Sequence, residues 1–361
     1  MAERDLSKTV LILFVVVPLL MVSGTGLAEE PVRVGVIGFD SYQAVAFTQL
    51  FHNPPEDNPA LRGLRVVAAW TGPSSPDIEE SVRNLPKWRE SFIAIGVPIK
   101  MSIDEVLQEV DVAMVMTLDG RNHLELVTPV LRAKKPVYIG RPMAASFEDV
   151  LEIFQLAEKY GTPVFSCSQH RFSPGFIDMR DHEEVGTVLG CSVYGGCPTV
   201  PHHPELFWHG IHGFETLYTI MGPGVVNVRR ASTRDAELIT CVWGDGRIGT
   251  YRGIRKGVIT YSALVFGDKG IVPAGVYGQP APIKGVVPKS RYKGYEGVAT
   301  AMARFYKTRK LPVSPTETIE LFGAMEAAHE SKRRGGAPVS VSEVIALARK
   351  RLADRKTKSG R

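Results

Sequence analysis

The sequence predicts an α/β chain made of a Rossmann-like N-terminal domain with a parallel sheet and a C-terminal α+β domain with an open, mostly antiparallel sheet. Up to about Cys167, short apolar runs alternate with helical periods, a pattern typical of parallel strands covered by helices. After Ser168, extended runs follow one another through turn signals such as Asp245-Gly246, which favours hairpins. We therefore predict a nucleotide-binding domain at 31–168 and a substrate or oligomerisation domain at 169–345, with the final helix packed on the first domain.

The first domain contains five predicted strands, at residues 32–39, 64–70, 112–117, 136–139 and 163–167. Helices are predicted between and after them, at residues 44–51, 78–95, 103–110, 124–133 and 147–160. Two of these helices begin with a capping box, since Ser102 precedes Glu105 and Ser146 precedes Asp149.

The second domain is predicted to be rich in strands, at residues 187–195, 225–231, 237–243, 247–254, 258–266 and 271–276. A helix is predicted at 295–307, and another begins at Ser314-Pro315 with Glu317 and ends near Gly335. The last helix begins at Ser340 and runs into the C-terminal segment.

Composition describes a soluble globular chain of 361 residues, with 44% apolar and 22% charged residues. A disordered chain and a membrane bundle are excluded. The formal net charge is +5, and the basic tail at 349–361 has seven basic residues against Asp354. We interpret this tail as a solvated chain end, in preference to a nucleic-acid-binding arm, so no nucleic-acid partner is expected.

Residues 1–28 are predicted to be a signal peptide. Arg4 and Lys8 precede an apolar stretch at 9–22, and Gly26 and Ala28 suit the small positions before a cleavage site. The apolar stretch is short for a membrane span, so no stable span is expected after cleavage. We expect a periplasmic or extracellular protein; the alternative is a membrane-tethered protein with an uncleaved segment. The four cysteines lack CxxC spacing and are predicted to be core thiols, at Cys167, Cys191, Cys197 and Cys241.

The first predicted strand ends at a turn that keeps one glycine of the dinucleotide fingerprint. In GxGxxG the three glycines allow the turn, the approach of the pyrophosphate and close helix packing. Here only the first remains, in Gly38, Phe39, Asp40 and Ser41, and Asp40 brings a carboxylate toward the place of the phosphates. The end of the second strand, at 67–71, has no acid for the ribose hydroxyls. By itself this turn is poor evidence for an NAD site.

Several motifs in order make the chain similar to the glucose-fructose oxidoreductase and inositol dehydrogenase family, also named Gfo/Idh/MocA, as a divergent exported member. They are the opening strand-turn-helix, MTLDGRNHLEL with Thr117 and His123, the KKPVYIGRP block and the helix with His212. The resemblance implies hydride transfer between NAD or NADP and a CH–OH group of a sugar, cyclitol or related polyol. It also implies a homo-oligomer paired through the open sheet, and a cofactor site formed by Gly38, Phe39, Asp40, Ser41, Thr117, His123, Gly140 and Arg141.

The resemblance also assigns two catalytic residues. Family members usually have Glu-Lys-Pro where this chain has Gly140-Arg141-Pro142. Because arginine stays charged at neutral pH, Arg141 is expected to orient the substrate and not to exchange a proton. His212 matches the family histidine in Asp-x-Gly-x-His-x-x-Asp and is the expected acid or base.

One predicted helix face combines His209, His212 and Glu215, opposite apolar residues. We interpret it as a catalytic stripe facing the substrate; the alternative is a divalent-metal site with the same three ligands. The substrate is expected to contact Asp119, Arg121, Arg171 and Trp208. Two of the assignments keep alternatives, because His123 equally fits a packing or capping residue and Arg171 an ion-pair partner.

Three functions remain open. The first is the NAD(P)-dependent oxidoreductase. The second is a cofactor-independent or metal-assisted lyase or hydrolase that acts on a sugar derivative in the same cleft. The third is a non-catalytic carbohydrate-binding protein.

Overall fold

A six-stranded parallel sheet forms the first domain of the computed structural model, which describes residues 30–275 and 294–359. Its order is β3-β2-β1-β4-β5-β6. The strands are β1 (Val32–Ile37), β2 (Leu64–Trp70), β3 (Ile99–Lys100), β4 (Val112–Val115), β5 (Val137–Ile139) and β6 (Val164–Ser166). The predicted parallel sheet is confirmed, and only the two-residue β3 was missed, because it is too short to have a pattern.

Helices cover this sheet at α1 (Tyr42–His52), α2 (Glu79–Ile95), α3 (Ile103–Glu109), α4 (His123–Arg132) and α5 (Phe147–Tyr160). The hydroxyls of Ser102 and Ser146 accept hydrogen bonds from the backbone N–H groups of Glu105 and Asp149, as the capping boxes predict. The strand order reverses between β1 and β4, and in such sheets ligands bind at the carboxyl ends of the strands at this point.

The second sheet has seven strands in the order β12-β11-β7-β10-β9-β8-β13. They are β7 (Val188–Gly196), β8 (Val225–Ser232), β9 (Ala236–Trp243), β10 (Ile248–Ile254), β11 (Ser262–Gly267), β12 (Ile271–Pro273) and β13 (Val339–Ser340). All neighbouring pairs are antiparallel except β7 with β10. The mostly antiparallel sheet is thus confirmed. The predicted last strand extends to Val276, which lies outside the described residues, as does the predicted signal peptide.

Four helices complete the second domain: α6 (Pro174–Ile177), α7 (Ile211–Met221), α8 (Glu296–Thr308) and α9 (Pro315–Arg333), with α10 (Val341–Ser359) at the end. α8 packs on the first sheet, where the rings of Phe305 and Phe165 lie 5.0 Å apart and the hydroxyl of Tyr306 donates to the carbonyl of Ala113 at 2.7 Å. The described residues from Pro31 onward accordingly belong to one compact unit.

The basic tail is helical as far as Ser359, and its described basic side chains are exposed, as expected of a solvated chain end. α10 continues to Ser359, and its basic residues face acidic residues of α5. Arg351 pairs with Glu148, and Arg355 pairs with Asp149 at 2.8 Å. The tail charge therefore serves contacts within the chain. All four cysteines are buried and free, as predicted. Within the described ranges, no helix is long and apolar enough to cross a membrane.

Candidate active site

The candidate site lies where the carboxyl ends of β5 and β6 meet the second domain. Arg141 follows β5 and Ser168 follows β6, and both approach a segment that runs from Leu206 to Met221. This segment begins as a π-helical turn, Leu206–Gly210, and continues as α7. The wider turn presents Trp208 and His209 to the same region as His212.

α7 is buried along its whole length, so the predicted helix with one polar and one apolar face was wrong. Every residue from Ile211 to Met221 is buried. Gly213 lets the helix lie directly on β10, because a Cβ atom there would be 2.2 Å from the ring of Tyr251. A helix enclosed on all sides places its polar residues in local hydrogen bonds, and the pattern of the sequence does not show these bonds.

His212 stands at the centre of an aromatic and imidazole cluster. Its Nδ1 lies 2.6 Å from the hydroxyl oxygen of Ser168, and its ring stacks on His170 with centroids 4.8 Å apart. The ring of His209 is 5.5 Å away and that of Tyr261 is 5.9 Å away. Burial lowers the pKa of His212 well below its usual value, and the positive charge of Arg141 lowers it further. His212 is therefore neutral at pH 7.

Arg141 reaches the same cluster from the first domain. Its Nη1 donates to the carbonyl of Trp208 at 3.3 Å, and its guanidinium carbon lies 5.7 Å from the centroid of the Trp208 ring. Its Nε is buried and has no hydrogen-bond partner among the described residues. Trp208, predicted to contact substrate, is itself buried and supports this guanidinium.

Glu215 and Arg171 form a buried ion pair. Arg171 donates through Nε to Glu215 at 2.6 Å and through Nη1 to Glu317 on α9, and the other oxygen of Glu215 accepts from the N–H of Ser168 at 3.2 Å. Arg171 thus has the second of its two predicted roles, an ion-pair partner. Glu215 is bound to Arg171 and Ser168, and no metal-binding group of three His, Cys, Asp or Glu residues occurs in the described part of the chain. The predicted ligand set His209, His212 and Glu215 is not assembled.

Asp40 is not at the phosphate position, contrary to the sequence-based expectation. Its carboxylate is buried, accepts from the N–H of Leu118 at 2.7 Å and from the hydroxyl of Ser81 at 2.5 Å, and has its pKa raised by burial. The carboxylate therefore binds to the loop after β4 and to α2, away from the cluster around His212.

Residues 72–81, which connect β2 to the first turn of α2, cross the end of β1 and reach the loop after β4; we name them the bridge segment. Ser75 donates to Asp119 at 2.5 Å, and Asp77 pairs with Arg121 at 2.7 Å. Hydrogen bonds from Arg121 and Ser75 outweigh burial and lower the pKa of Asp119 to about 2. Asp119 and Arg121, both predicted to contact substrate, hold this bridge segment instead.

The turn after β1 retains features that fit a phosphate group. Gly38 has φ +76°, and a Cβ atom there would be 2.2 Å from Cγ2 of Thr117. α1 has no side-chain cap, because the hydroxyl of Ser41 donates to the carbonyl of Met116 at 3.2 Å, so the first N–H groups of the helix remain available. The hydroxyl of Thr117 is buried without a partner. These donors suit a nucleotide phosphate, although the bridge segment lies over the neighbouring strand ends.

Three predicted cofactor residues are structural in this arrangement. Phe39 is buried and stacks on Phe92 with centroids 4.5 Å apart. His123 is buried between the carbonyls of Thr117 and Met143, at 2.9 and 3.2 Å, which is the packing alternative. The N–H of Gly140 donates to the carbonyl of Val115 at 2.8 Å and fixes the start of the segment with Arg141.

Of the predicted site residues, the structure brings together Arg141, Trp208, His209 and His212. It adds Ser168, His170, Tyr261 and Tyr295, which the sequence analysis did not assign. His170 lies in a part of the sequence that is rich in histidines, and this clustering could have identified it as a site residue. Ser168 and the two tyrosines carry no motif, and only the packing of the two domains shows them.

The comparisons with known proteins agree with this architecture. The model of an oxidoreductase family with an NAD-binding Rossmann fold, Gfo/Idh/MocA, matches residues 32–167. Myo-inositol 2-dehydrogenase of Thermotoga maritima is 25% identical over 191 residues, which is 46% of this chain and 57% of that protein. Inositol 2-dehydrogenase 2 of Saccharopolyspora erythraea is 26% identical over 138 residues, 36% of this chain and 40% of that protein. The aligned segments thus span about half of these relatives.

Among solved structures, scyllo-inositol dehydrogenase from Lactobacillus casei, with bound NAD(H) and scyllo-inositol, superposes with a TM-score of 0.66. The superposition covers 87% of this chain and all of that one, at 11% sequence identity. The similarity therefore concerns the fold, and it covers both domains.

Proposed function

We propose that the chain is an oxidoreductase of the Gfo/Idh/MocA family, whose model matches residues 32–167, and that it transfers hydride between NAD or NADP and a CH–OH group of a cyclitol, sugar or related polyol. The observation that carries the proposal is a shared cluster at the carboxyl edge of the parallel sheet, in which Arg141 donates to Trp208 and its charge lowers the pKa of His212. A cation and a neutral imidazole thus lie at the sheet edge where ligands of such sheets bind.

In the proposed reaction, the CH–OH group loses a hydride and a proton and becomes a carbonyl. The nicotinamide, when bound, supplies the hydride acceptor. His212 takes the hydroxyl proton at Nε2 in the tautomer whose Nδ1–H donates to Ser168, because this tautomer leaves the Nε2 lone pair free. Ser168 is a positioning residue that holds the ring, and Arg141 holds a substrate oxygen without losing its own proton.

The nucleotide is proposed to bind with its diphosphate at the N-terminus of α1. The uncapped helix start, Gly38 and the unpartnered hydroxyl of Thr117 support this placement. Because residues 72–81 cross the neighbouring strand ends, binding requires that this bridge segment shift. NAD and NADP are both compatible with these residues.

The test is turnover of a panel of cyclitols and sugars with NAD and NADP, followed by the absorbance of the reduced nucleotide. Replacing His212 by Asn should lower kcat by about 10²–10⁴-fold, the usual contribution of general acid–base catalysis. His182→Asn is the matched control, because His182 lies outside the cluster, and it should leave kcat unchanged. Equal activity of the His212 variant and the wild type would reject the assigned base.

A second candidate is elimination or hydrolysis of a sugar derivative in the same cleft without a nucleotide. The bridge segment over the strand ends and the missing ribose acid favour it. Nucleotide-free protein that converts a sugar substrate would establish this reaction. A panel without any turnover, together with sugar-dependent thermal stabilisation, would instead support the non-catalytic carbohydrate-binding protein.

Export and self-association complete the proposal. The predicted signal peptide at 1–28 supports a periplasmic or extracellular location, and an uncleaved segment would tether the protein to a membrane. Apolar side chains on the exposed face of the second sheet support a homo-oligomer; they are Leu189, Tyr194, Val226, Leu238, Ile248, Leu264 and Ile271. Fractionation of cells and the mass of the purified protein in solution test the two points.

A further inference from the structure

The guanidinium of Arg141 lacks a counter-charge. Within the described residues its single hydrogen bond goes to the carbonyl of Trp208, and its buried Nε has no partner. Burial lowers the pKa of Arg141, the direction expected when a cation loses water and gains no carboxylate. Buried charges in proteins are normally paired, because desolvation of an isolated ion is costly.

Neutral side chains surround this cation. Burial lowers the pKa of His170 and of His209 to about 3, and lowers that of His212 well below its usual value. Burial also raises the pKa of Tyr261 and of Tyr295. At pH 7 all five groups are therefore uncharged. Among the described groups of this cluster, Arg141 carries the positive charge.

The nearby acids do not neutralise Arg141. Both oxygens of Glu215 are taken, one by the N–H of Ser168 and the other by Arg171. Glu80 acts on Arg141 only through a weak long-range attraction and is itself exposed. The missing negative charge is therefore not supplied by a described side chain.

The orientation of the guanidinium indicates the shape of the absent anion. Trp208 fixes Nη1 with its carbonyl and holds the guanidinium over its ring, which leaves the edge formed by Nε and Nη2. Two parallel N–H groups on this edge match the two oxygens of a carboxylate. Arg141, Tyr261 and Tyr295 are partly exposed while Nε itself is buried, so a ligand that approaches from solvent reaches Nε when these side chains move aside.

We propose that the Nε–Nη2 edge of Arg141 binds a substrate carboxylate, so that the substrate is a polyhydroxy acid of the aldonic or uronic type. The oxidation of its hydroxyl group rests on the proposed function, whereas binding of the acid does not. The carboxylate supplies the charge that the cluster lacks, and the neutral His212 remains the proton acceptor.

The test measures binding to the full chain by calorimetry without nucleotide. Four probes are compared: galacturonate, galactose, glucose 6-phosphate and inorganic phosphate. We expect galacturonate to bind at least 10-fold more tightly than the other three probes. Arg141→Gln should reduce its affinity to that of galactose, and Arg141→Lys, which keeps the charge but loses the fork, should give an intermediate value. Arg252→Gln, an exposed arginine on β10, is the matched control and should change nothing.

Equal affinity for galacturonate and galactose, or galacturonate binding that survives Arg141→Gln, overturns the proposal. If glucose 6-phosphate or inorganic phosphate binds as tightly as galacturonate or more tightly, the assignment of a carboxylate is overturned. If NADH competes with galacturonate, Arg141 belongs to the nucleotide site and the proposal is overturned. If Arg141→Gln does not fold, Arg141→Lys decides the result. If galacturonate binds but the turnover assay yields no reduced nucleotide, the proposed function alone is refuted. If neutral polyols are oxidised and sugar acids are not, this inference alone is refuted.

Discussion

Removing the cation of the buried pair between Arg171 and Glu215 should destabilise the fold strongly. The side chains are 7% and 5% exposed, and Nε and Oε2 lie 2.6 Å apart. Breaking such a pair costs about 3–5 kcal/mol, because the remaining charge stays buried. Glu215 keeps its bond from Ser168, and its pKa is already raised by burial, so it can take up a proton. We therefore expect Arg171→Met to cost about 3 kcal/mol, at the lower end of that range.

The assay is urea unfolding followed by circular dichroism at pH 7. Arg333→Met is the matched control, because Arg333 pairs with Glu330 on the surface with 58% of its side chain exposed, and such pairs contribute about 0–1 kcal/mol. The double variant Arg171→Met with Glu215→Leu should recover part of the loss, since the more buried of the two carboxylates that Arg171 pairs with is then removed as well. A loss no larger than that of the control, or a double variant less stable than the single one, would refute this account of the pair.

Three further predictions concern protonation, the phosphate turn and the bridge segment. The pKa of His170 is about 3 in the folded state against 6.5 unfolded, so the unfolded state binds more protons and stability falls as pH falls below 6.5. Between pH 7.5 and 5.5 this histidine should cost about 1.4 kcal/mol, and urea titrations of His170→Phe should lack that part of the slope. Gly38→Ala should cost several kcal/mol more than Gly63→Ala in the same assay, because both have positive φ but only Gly38 meets a side chain, at 2.2 Å. Ser75→Ala should tighten NADH binding about tenfold in a fluorescence titration by loosening the bridge segment, and unchanged affinity would show that the segment does not limit access.

The fold was largely predictable because its signals are local. Apolar runs between helical periods located β1 to β6 apart from β3, and Ser146 and Ser314 marked the starts of their helices through capping boxes. The strands of the second sheet followed from extended runs and turns. Each of these features depends on neighbouring residues, which the sequence displays directly.

The site was predictable only in part, because it depends on contacts between distant segments. Arg141 and His212 were found through the family motifs, and the charge of Arg141 lowers the pKa of His212. Asp40 was placed near the phosphates from its position in the turn, yet its carboxylate binds Ser81, 41 residues away. Glu215 was expected on a polar helix face, but the whole of α7 is enclosed and Arg171 captures the carboxylate. The sequence pattern does not mark Ser81 as the partner of Asp40, nor Arg171 as the partner of Glu215.

The central claim is hydride transfer from a carbinol carbon to a nicotinamide nucleotide. Its most direct test is mass spectrometry of the nucleotide after incubation with NAD or NADP and carbinol-deuterated cyclitols, sugars and sugar acids. We predict a reduced nucleotide that carries one deuterium, and loss of this product in the His212→Asn variant. Oxidised nucleotide that stays unlabelled while a sugar substrate is consumed would contradict it.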